Sequence, residues 1–313
     1  MNTNLYDGFE GLSYDRMLAL VRLQEAGSLI EAANYNSITQ SRYSHYLKEL
    51  SSHFGVKLTE RQGRNLTLTT QGRALATVAR AHFKNLEIFK RAADQTAEQW
   101  SVGAESGILS QVVIPSLAKL RRKDRARSYC LSSPKTEQIA LQLVEERLDF
   151  GLLDRSSLVE GLTAANLLEV RYVVIVPSRI APRGGAAKIG SSLHECPHAI
   201  FDADGQLGQN LRTIAKRNGV TFNLELQCNS TADCLAAVNT GNYATVIPAH
   251  FIEQSDAGDW VIIEDESLRV LDQKIALAWS PHNLTLHGAQ GATFKTELVD
   301  AIKEQVKALG IEP

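Results

Sequence analysis

The chain has 313 residues, 44% of them apolar and 6% aromatic, enough for two or three globular domains. A net charge of −2 and a pI near 6.5 exclude a basic signature spread over the whole chain. No signal peptide and no apolar run long enough to span a bilayer is present, so no membrane partner is expected and the expected location is the cytoplasm.

From the amino terminus, Leu12 to Ala26 places Met17, Leu18, Leu20, Val21 and Leu23 at helical spacing. Ser28 and Glu31 then stand at the separation of a capping box, opening a helix whose Ala32 and Ala33 permit close crossing. After a break at Asn34 to Ser37, Thr39 is the expected hydroxyl cap of a second helix. On it Tyr43, Leu47 and Leu50 form an apolar back, and Gln40, Ser41, Ser44, His45 and Lys48 a front rich in hydrogen-bonding groups. An apolar back with such a front is what reading the DNA major groove requires, with Arg42 beside it.

Gly55 ends that helix, and Val56 to Leu68 switches to period two about a Gln62-Gly63 turn, with Arg61 and Arg64 near the tip. The bases are local to this region: Lys48, Lys57, Arg61, Arg64, Arg73, Arg80 and Lys84 face few acids. Thr69 or Thr70 caps a long helix predicted to run to about Trp100. Its stripe of Leu75, Ala79, His82 with Phe83, Leu86, Phe89 and Ala93 has the spacing of a coiled-coil seam and predicts a dimer.

Beyond Trp100 strands and helices alternate. Strands are predicted at Ser101 to Ala104, Arg127 to Ser132, Leu148 to Leu153 and Arg171 to Val176. Helices are predicted at Gly107 to Arg122, through Pro115, and at Thr136 to Arg147. A loop is expected from Ile180 to Gly190. Strands at Ala199 to Phe201, Asn223 to Cys228, Ala244 to Ile247, Val261 to Ile263 and Lys274 to Trp279 follow, with helices at Leu207 to Lys216, Thr231 to Asn239 and Thr293 to Leu309. The alternation implies parallel sheets covered by helices, in two halves with a cleft between them.

The chain resembles the LysR-type transcriptional regulators. The residues carrying the resemblance are Ala26-Gly-Ser28, Glu31-Ala-Ala33, Gln40, Ser44, Lys48, Leu50, Gly55-Val56, Leu58, Arg61, Gly63-Arg64, Leu68-Thr69 and Gly72. In the second half they are Val113 to Leu117, Glu145 to Leu152, Asn229-Ser230, Val238 to Gly241 and Val246-Ile-Pro248. The resemblance covers nearly the whole chain. It implies a winged helix-turn-helix over 1–69, a linker and dimerisation helix over 70–99, and over 100–313 a two-lobed α/β effector domain of periplasmic-binding-protein type. It also implies double-stranded operator DNA, a small-molecule effector and self-association as dimer or tetramer. By family position Ser106, Gly107, Thr136, Phe201, Asp202 and Asn229 line the site between the lobes. Helix amino termini there favour a small anion, although no lysine or arginine is assigned to the cleft. Ser106, Thr136 and Asn229 read equally well as plain helix caps.

The chain departs from the family pattern at Ser41 for a proline, His45 for an arginine and Thr59 for a phenylalanine. The Ile180 to Gly190 loop replaces a His-Pro-Leu run, and Tyr243 a glycine. One imidazole cannot clamp guanine with two bonds as arginine does, so the family's operator preference is not carried over.

No His-x-x-x-His, Gly-x-Ser-x-Gly or phosphate-cradling glycine loop appears, so neither an enzyme nor a cofactor is predicted. His194 and His198 flank Cys196 in a run read as a solvated loop rather than a metal site. Cys130, Cys196, Cys228 and Cys234 form no Cys-x-x-Cys pair and read as reduced thiols, a Cys130 and Cys228 redox pair being the alternative. The rival to a regulator is a cytosolic ligand- or partner-binding protein with a degenerate helix-turn-helix.

Overall fold

The computed structural model describes residues 9, 11–63, 65–93, 98–182, 188–252 and 259–311. The chain forms two compact units, Met1–Thr96 and Ala97–Pro313.

In the first unit α1 (Tyr14–Ala26) starts at Ser13, whose hydroxyl accepts the Asp15 N–H, and ends at Gly27. The four-residue α2 (Leu29–Ala32) is capped by Ser28, which accepts the Glu31 N–H at 3.3 Å. Helix α3 (Ser37–Phe54) is capped by Asn36, accepting from Thr39 at 2.9 Å. Thr39 is therefore the donor of the cap and not the cap itself, because the turn at Asn34 and Tyr35 is tighter than the sequence suggests. Both residues take positive φ, 49° and 59°. Gly55 closes α3 in the left-handed region, where a side chain would be strained.

Strands β1 (Thr59–Gln62) and β2 (Asn65–Leu68) pair antiparallel with Gln62 opposite Asn65. Gln62 therefore belongs to β1 rather than to the turn, and Gly63 takes a positive φ of 62°; Arg64 lies outside the described residues. The hydroxyl of Thr69 caps α4 (Thr70–Ala93), accepting from Gly72 at 3.0 Å and donating to the Lys57 carbonyl. Leu20, Leu23, Tyr43, Leu47, Leu50, Leu58, Leu68 and Ala76 make the core of this unit.

In the second unit β3 (Gln99–Gly103) contains Trp100, so α4 does not run to it. That indole is fully buried and stacks on Phe294 at 4.4 Å. Helix α5 (Ser106–Ile108) continues through a π turn at Leu109–Val113 into α6 (Ile114–Lys123). Proline has no N–H to give, so helix irregularity beside Pro115 is expected. Strand β4 (Ser128–Ser132), helix α7 (Thr136–Val144), β5 (Phe150–Asp154), β6 (Thr163–Val170) and β7 (Tyr172–Pro177) follow. Then come α8 (Ile189–Glu195), β8 (His198–Phe201), α9 (Gln206–Arg217), β9 (Leu224–Cys228), α10 (Thr231–Asn239) and β10 (Thr245–Pro248). Strands β11 (Trp260–Ile263) and β12 (Gln273–Trp279) precede α11 (Pro281–Leu286) and α12 (Gly288–Ala308).

One sheet has the order β4-β3-β5-β12-β6; the other lobe has β10-β7-β11 and β8-β9, joined by a bridge from His198 to Ala244. The sheets are mixed rather than parallel: β12 runs antiparallel to β5 and β6, and β7 antiparallel to β10 and β11. The chain therefore crosses between lobes twice, from β6 to β7 and from β11 to β12, the two-crossover plan of a hinged pair.

The loop expected around Cys196 is structured instead. His194 is the penultimate residue of α8, while Cys196 and His198 are fully buried. His198 Nδ1 meets the Cys196 carbonyl at 2.8 Å, whereas exposed His194 faces the Thr221 carbonyl.

Candidate nucleic-acid interface and effector cleft

The back of α3 is built as expected, with Tyr43, Leu47 and Leu50 buried. Tyr43 is held further by Arg22, which donates to its hydroxyl and lies over its ring. On the front Ser41, Arg42, His45 and Lys48 are exposed, while Gln40 and Ser44 sit half-buried at the flank. The outward ridge includes a residue that sequence reasoning missed, Ile38, 79% exposed in the first turn. A strongly exposed isoleucine at a helix start was a visible signal, since an apolar group matches the thymine methyl in the major groove.

His45 is oriented by Glu49 one turn along, with Nε2 to Oε1 at 3.4 Å. Arg16 of α1 holds the same carboxylate through Nε at 2.9 Å and Nη2 at 3.2 Å. This fixes the carboxylate that His45 faces. Arg61 is exposed on the hairpin.

On α4 the proposed seam divides. Ala79 is buried within its own unit and Leu75 packs on its core. His82 stacks on Tyr14 of α1 with ring centroids 5.7 Å apart. The outward apolar residues are Val78 at 64%, Leu86 at 42% and Phe89 at 73% exposure. Val78 was missed because it falls one position from the Leu75 to Ala79 register.

In the second unit the candidate cleft residues stand at the carboxyl ends of parallel strands, where α/β folds place ligands. Strand β3 leads through Ala104 and Glu105 to Ser106, and β4 ends at Ser132 before Thr136. In the other lobe β8 ends at Phe201, opposite Cys228 at the end of β9. None of Ser106, Thr136 and Asn229 is a side-chain cap. Helices α5 and α7 have no side-chain cap bond, and α10 is capped by Ser230, which accepts from Asp233 at 3.2 Å.

Glu105 flanks the head of α5, with its carboxylate beside Gly107. Burial raises its pKa, the nearby Gly107 N–H offsets part of this, and the charge of Asp202 raises it again. Asp202 takes a positive φ of 51°, and a Cβ at Gly205 would meet its carboxylate oxygens at 2.1 Å. Phe251, from the turn after β10, packs on Gly107. Ser132 and Thr231 bury hydroxyl oxygens without a protein partner. Glu105, Ser132, Thr231 and Phe251 all escaped sequence reasoning, because only the fold brings these strand ends together.

Among the described residues no group of three or more His, Cys, Asp or Glu is arranged to hold a metal, and no helix is long and apolar enough to cross a membrane. Cys130 and Cys228 lie in the sheets of different lobes; Cys228 packs instead against the cluster that contains Cys234.

Residues 14–73 match the bacterial regulatory helix-turn-helix family of lysR type, and residues 93–290 match the LysR substrate binding domain. The chain belongs to the LysR family. It is a LysR-type, DNA-binding transcriptional regulator with an effector-binding domain. A probable hydrogen peroxide-inducible genes activator from Mycobacterium leprae is 26% identical over 235 residues, 74% of this chain and 76% of that one. Among solved structures, ArgP from Mycobacterium tuberculosis superposes with a TM-score of 0.68 at 19% identity, covering 92% of this chain and 96% of its own. A full-length OxyR variant from Pseudomonas aeruginosa gives 0.64 at 15% identity, covering 94% and 95%. At these identities the structures attest the shared fold.

Proposed function

We propose that this LysR-type regulator reads its operator with Ser41 and His45, supported by Gln40, Ser44 and Ile38, while Arg42, Lys48, Arg61 and Arg64 hold phosphates. The proposed partition is a winged helix-turn-helix at 1–69, a dimerisation helix at 70–99 and an effector domain at 100–313, acting in the cytoplasm without catalysis. The effector binds between the lobes, against Ser106, Gly107, Thr136, Phe201, Asp202 and Asn229.

The observation that carries this reading is the convergence of polar strand ends, where Ser106, Thr136 and Asn229 have no capping role and Glu105 is buried beside them. Two carboxylates on the cleft favour an effector that brings a cationic or hydrogen-bond-donating group, in place of the anion expected from helix amino termini alone.

The test is a ligand screen read out on operator affinity, since linkage requires that a ligand altering operator affinity binds differently when operator is present. Ser106→Trp is expected to abolish the response and leave basal operator binding nearly intact. Glu105→Gln is expected to weaken a cationic effector at least tenfold. Retention of the full response by Ser106→Trp rules the cleft out as sensor.

A further inference from the structure

Six of the nine residues from Lys119 to Arg127 are basic, in a unit that otherwise leans acidic with 21 Lys and Arg against 26 Asp and Glu. The fold sorts these cations into two classes. Arg127 is well neutralised: it pairs with Glu297, with Asp124 at 3.2 Å and with Glu98 at 3.4 Å, and lies over the Phe294 ring. Lys119 reaches Glu304 at 3.4 Å. The neighbouring acids are therefore engaged. Arg121, Arg122, Lys123 and Arg125 are exposed and face no acid within ion-pair distance among the described residues.

Three of these arginines share a shape. Ala118, Arg121, Arg122 and Arg125 recur at the i, i+3, i+4, i+7 spacing of one helical face and line a concavity of about 420 Å³. Ala118 supplies a small floor. Arg125 lies beyond the end of α6, in a turn where Asp124 Oδ1 accepts the Ala126 N–H at 3.0 Å. Basic residues in the last turn of a helix complement its dipole, which accounts for Arg121, Arg122 and Lys123. It does not account for Arg125, which adds like charge to the same hollow from outside the helix. Like charges gathered in a concave surface repel one another and focus potential on an anion, and guanidinium groups match the geometry of phosphate oxygens.

We propose that this arginine-lined hollow is a second nucleic-acid contact of the regulator, taking backbone phosphates of DNA that flanks the operator. It reads no bases. Its contribution is electrostatic and independent of sequence, and it adds affinity only on duplexes long enough to reach it.

The experiment uses the full chain and two duplexes, one trimmed to the bound site and one extended by unrelated flanks. Wild type is expected to bind the long duplex more tightly, with a steeper salt dependence. In Arg121→Gln/Arg122→Gln/Arg125→Gln that advantage disappears and the slope of log affinity against log salt on long DNA falls by about 2–3, at roughly 0.9 per phosphate. Unchanged affinity on the short duplex shows that the variant is folded, and the corresponding triple lysine variant keeps the long-duplex advantage. Equal slopes for wild type and the glutamine variant on long DNA overturn the proposal. So does a slope that is unchanged while a nucleoside triphosphate protects the hollow from arginine modification, which makes a free polyphosphate the ligand. A glutamine variant altered only in subunit association, or only in transcription with DNA binding intact, likewise overturns it in favour of a protein contact.

Discussion

Phe251 of one lobe packs against the bare Cα of Gly107 in the other, so closely that a Cβ at position 107 would stand 2.7 Å from the ring Cζ. The contact sits at the head of α5, beside Glu105, so the lobes touch at the point where the effector is proposed to bind. Gly107→Ala is expected to push the ring away at a cost of about 1–3 kcal/mol. Because the clash needs both partners, the same change in a Phe251→Ala background should cost clearly less. Additive losses in urea unfolding of the two singles and the double would separate the residues energetically.

Exposure ranks the residues of the recognition surface. With Gln40 and Ser44 half-buried and Ser41 and His45 exposed, the largest specific losses move to the latter pair. Alanine at Ser41 or His45 should cost about 1–3 kcal/mol at the operator and much less on random DNA. Glu49→Gln should relax base preference at the His45 position without matching loss on random sequence. Gel-shift competition against both DNAs measures this, and equal losses on both would assign these residues to the phosphates.

The legible part of the molecule was the part with local causes. Ser28 with Glu31 forecast a cap, Gly55 a helix end, and the Tyr43, Leu47, Leu50 spacing the buried side of α3, because each depends on residues within a turn or two. The sense of β7 and β12 was not legible, since an apolar strand buried on both faces reads alike whichever way its neighbours run. Strand β6 went unread because its alternation is broken by Ala164 and Ala165. Glu105 was invisible as a site residue for another reason: its burial, and the charge of Asp202 almost a hundred positions later, come to it only through the fold.

Dimerisation should depend on the outward ridge of α4. Val78, Leu86 and Phe89 are exposed apolar residues spaced for one face, whereas Ala79 is already covered by its own unit. A Leu86→Asp/Phe89→Asp variant is expected to sediment as a monomer and to lose operator binding that needs paired half-sites. Ala79→Asp should instead unfold the first unit. An intact dimer in the double variant would move the seam elsewhere.

The buried thiols lead to a prediction about hydrogen peroxide. Burial pushes Cys234 up to about 12 and Cys196 up to about 11, and also raises Cys228. Thiolate is the nucleophile toward peroxide, and at neutral pH these three supply very little of it. Micromolar hydrogen peroxide is therefore expected to leave operator affinity unchanged, and a thiol reagent should label exposed Cys130 first. A peroxide-dependent shift that vanishes in Cys228→Ser or Cys234→Ser would contradict this.

Stability should fall on mild acidification because of two buried imidazoles. His198 and His250 are both pushed down to about 4, chiefly by burial, from an ordinary value of 6.5. The folded state keeps them neutral while the unfolded chain binds a proton at each between about pH 6.5 and 4, so the unfolded state gains protons and stability rises with pH across that window. The contribution is complete above pH 6.5 and is lost as pH drops toward 4, at most about 3 kcal/mol for each histidine. Both residues belong to the β7 to β10 lobe, which is therefore expected to loosen before the rest of its unit. His198 also has a ring nitrogen, Nε2, with no hydrogen-bond partner, so replacing it by a neutral residue removes a titrating group without breaking a bond at that atom. His198→Gln should flatten roughly half of the pH dependence of urea unfolding between pH 6.5 and 4. An unchanged slope in that variant would mean that the acid sensitivity originates in carboxylates elsewhere.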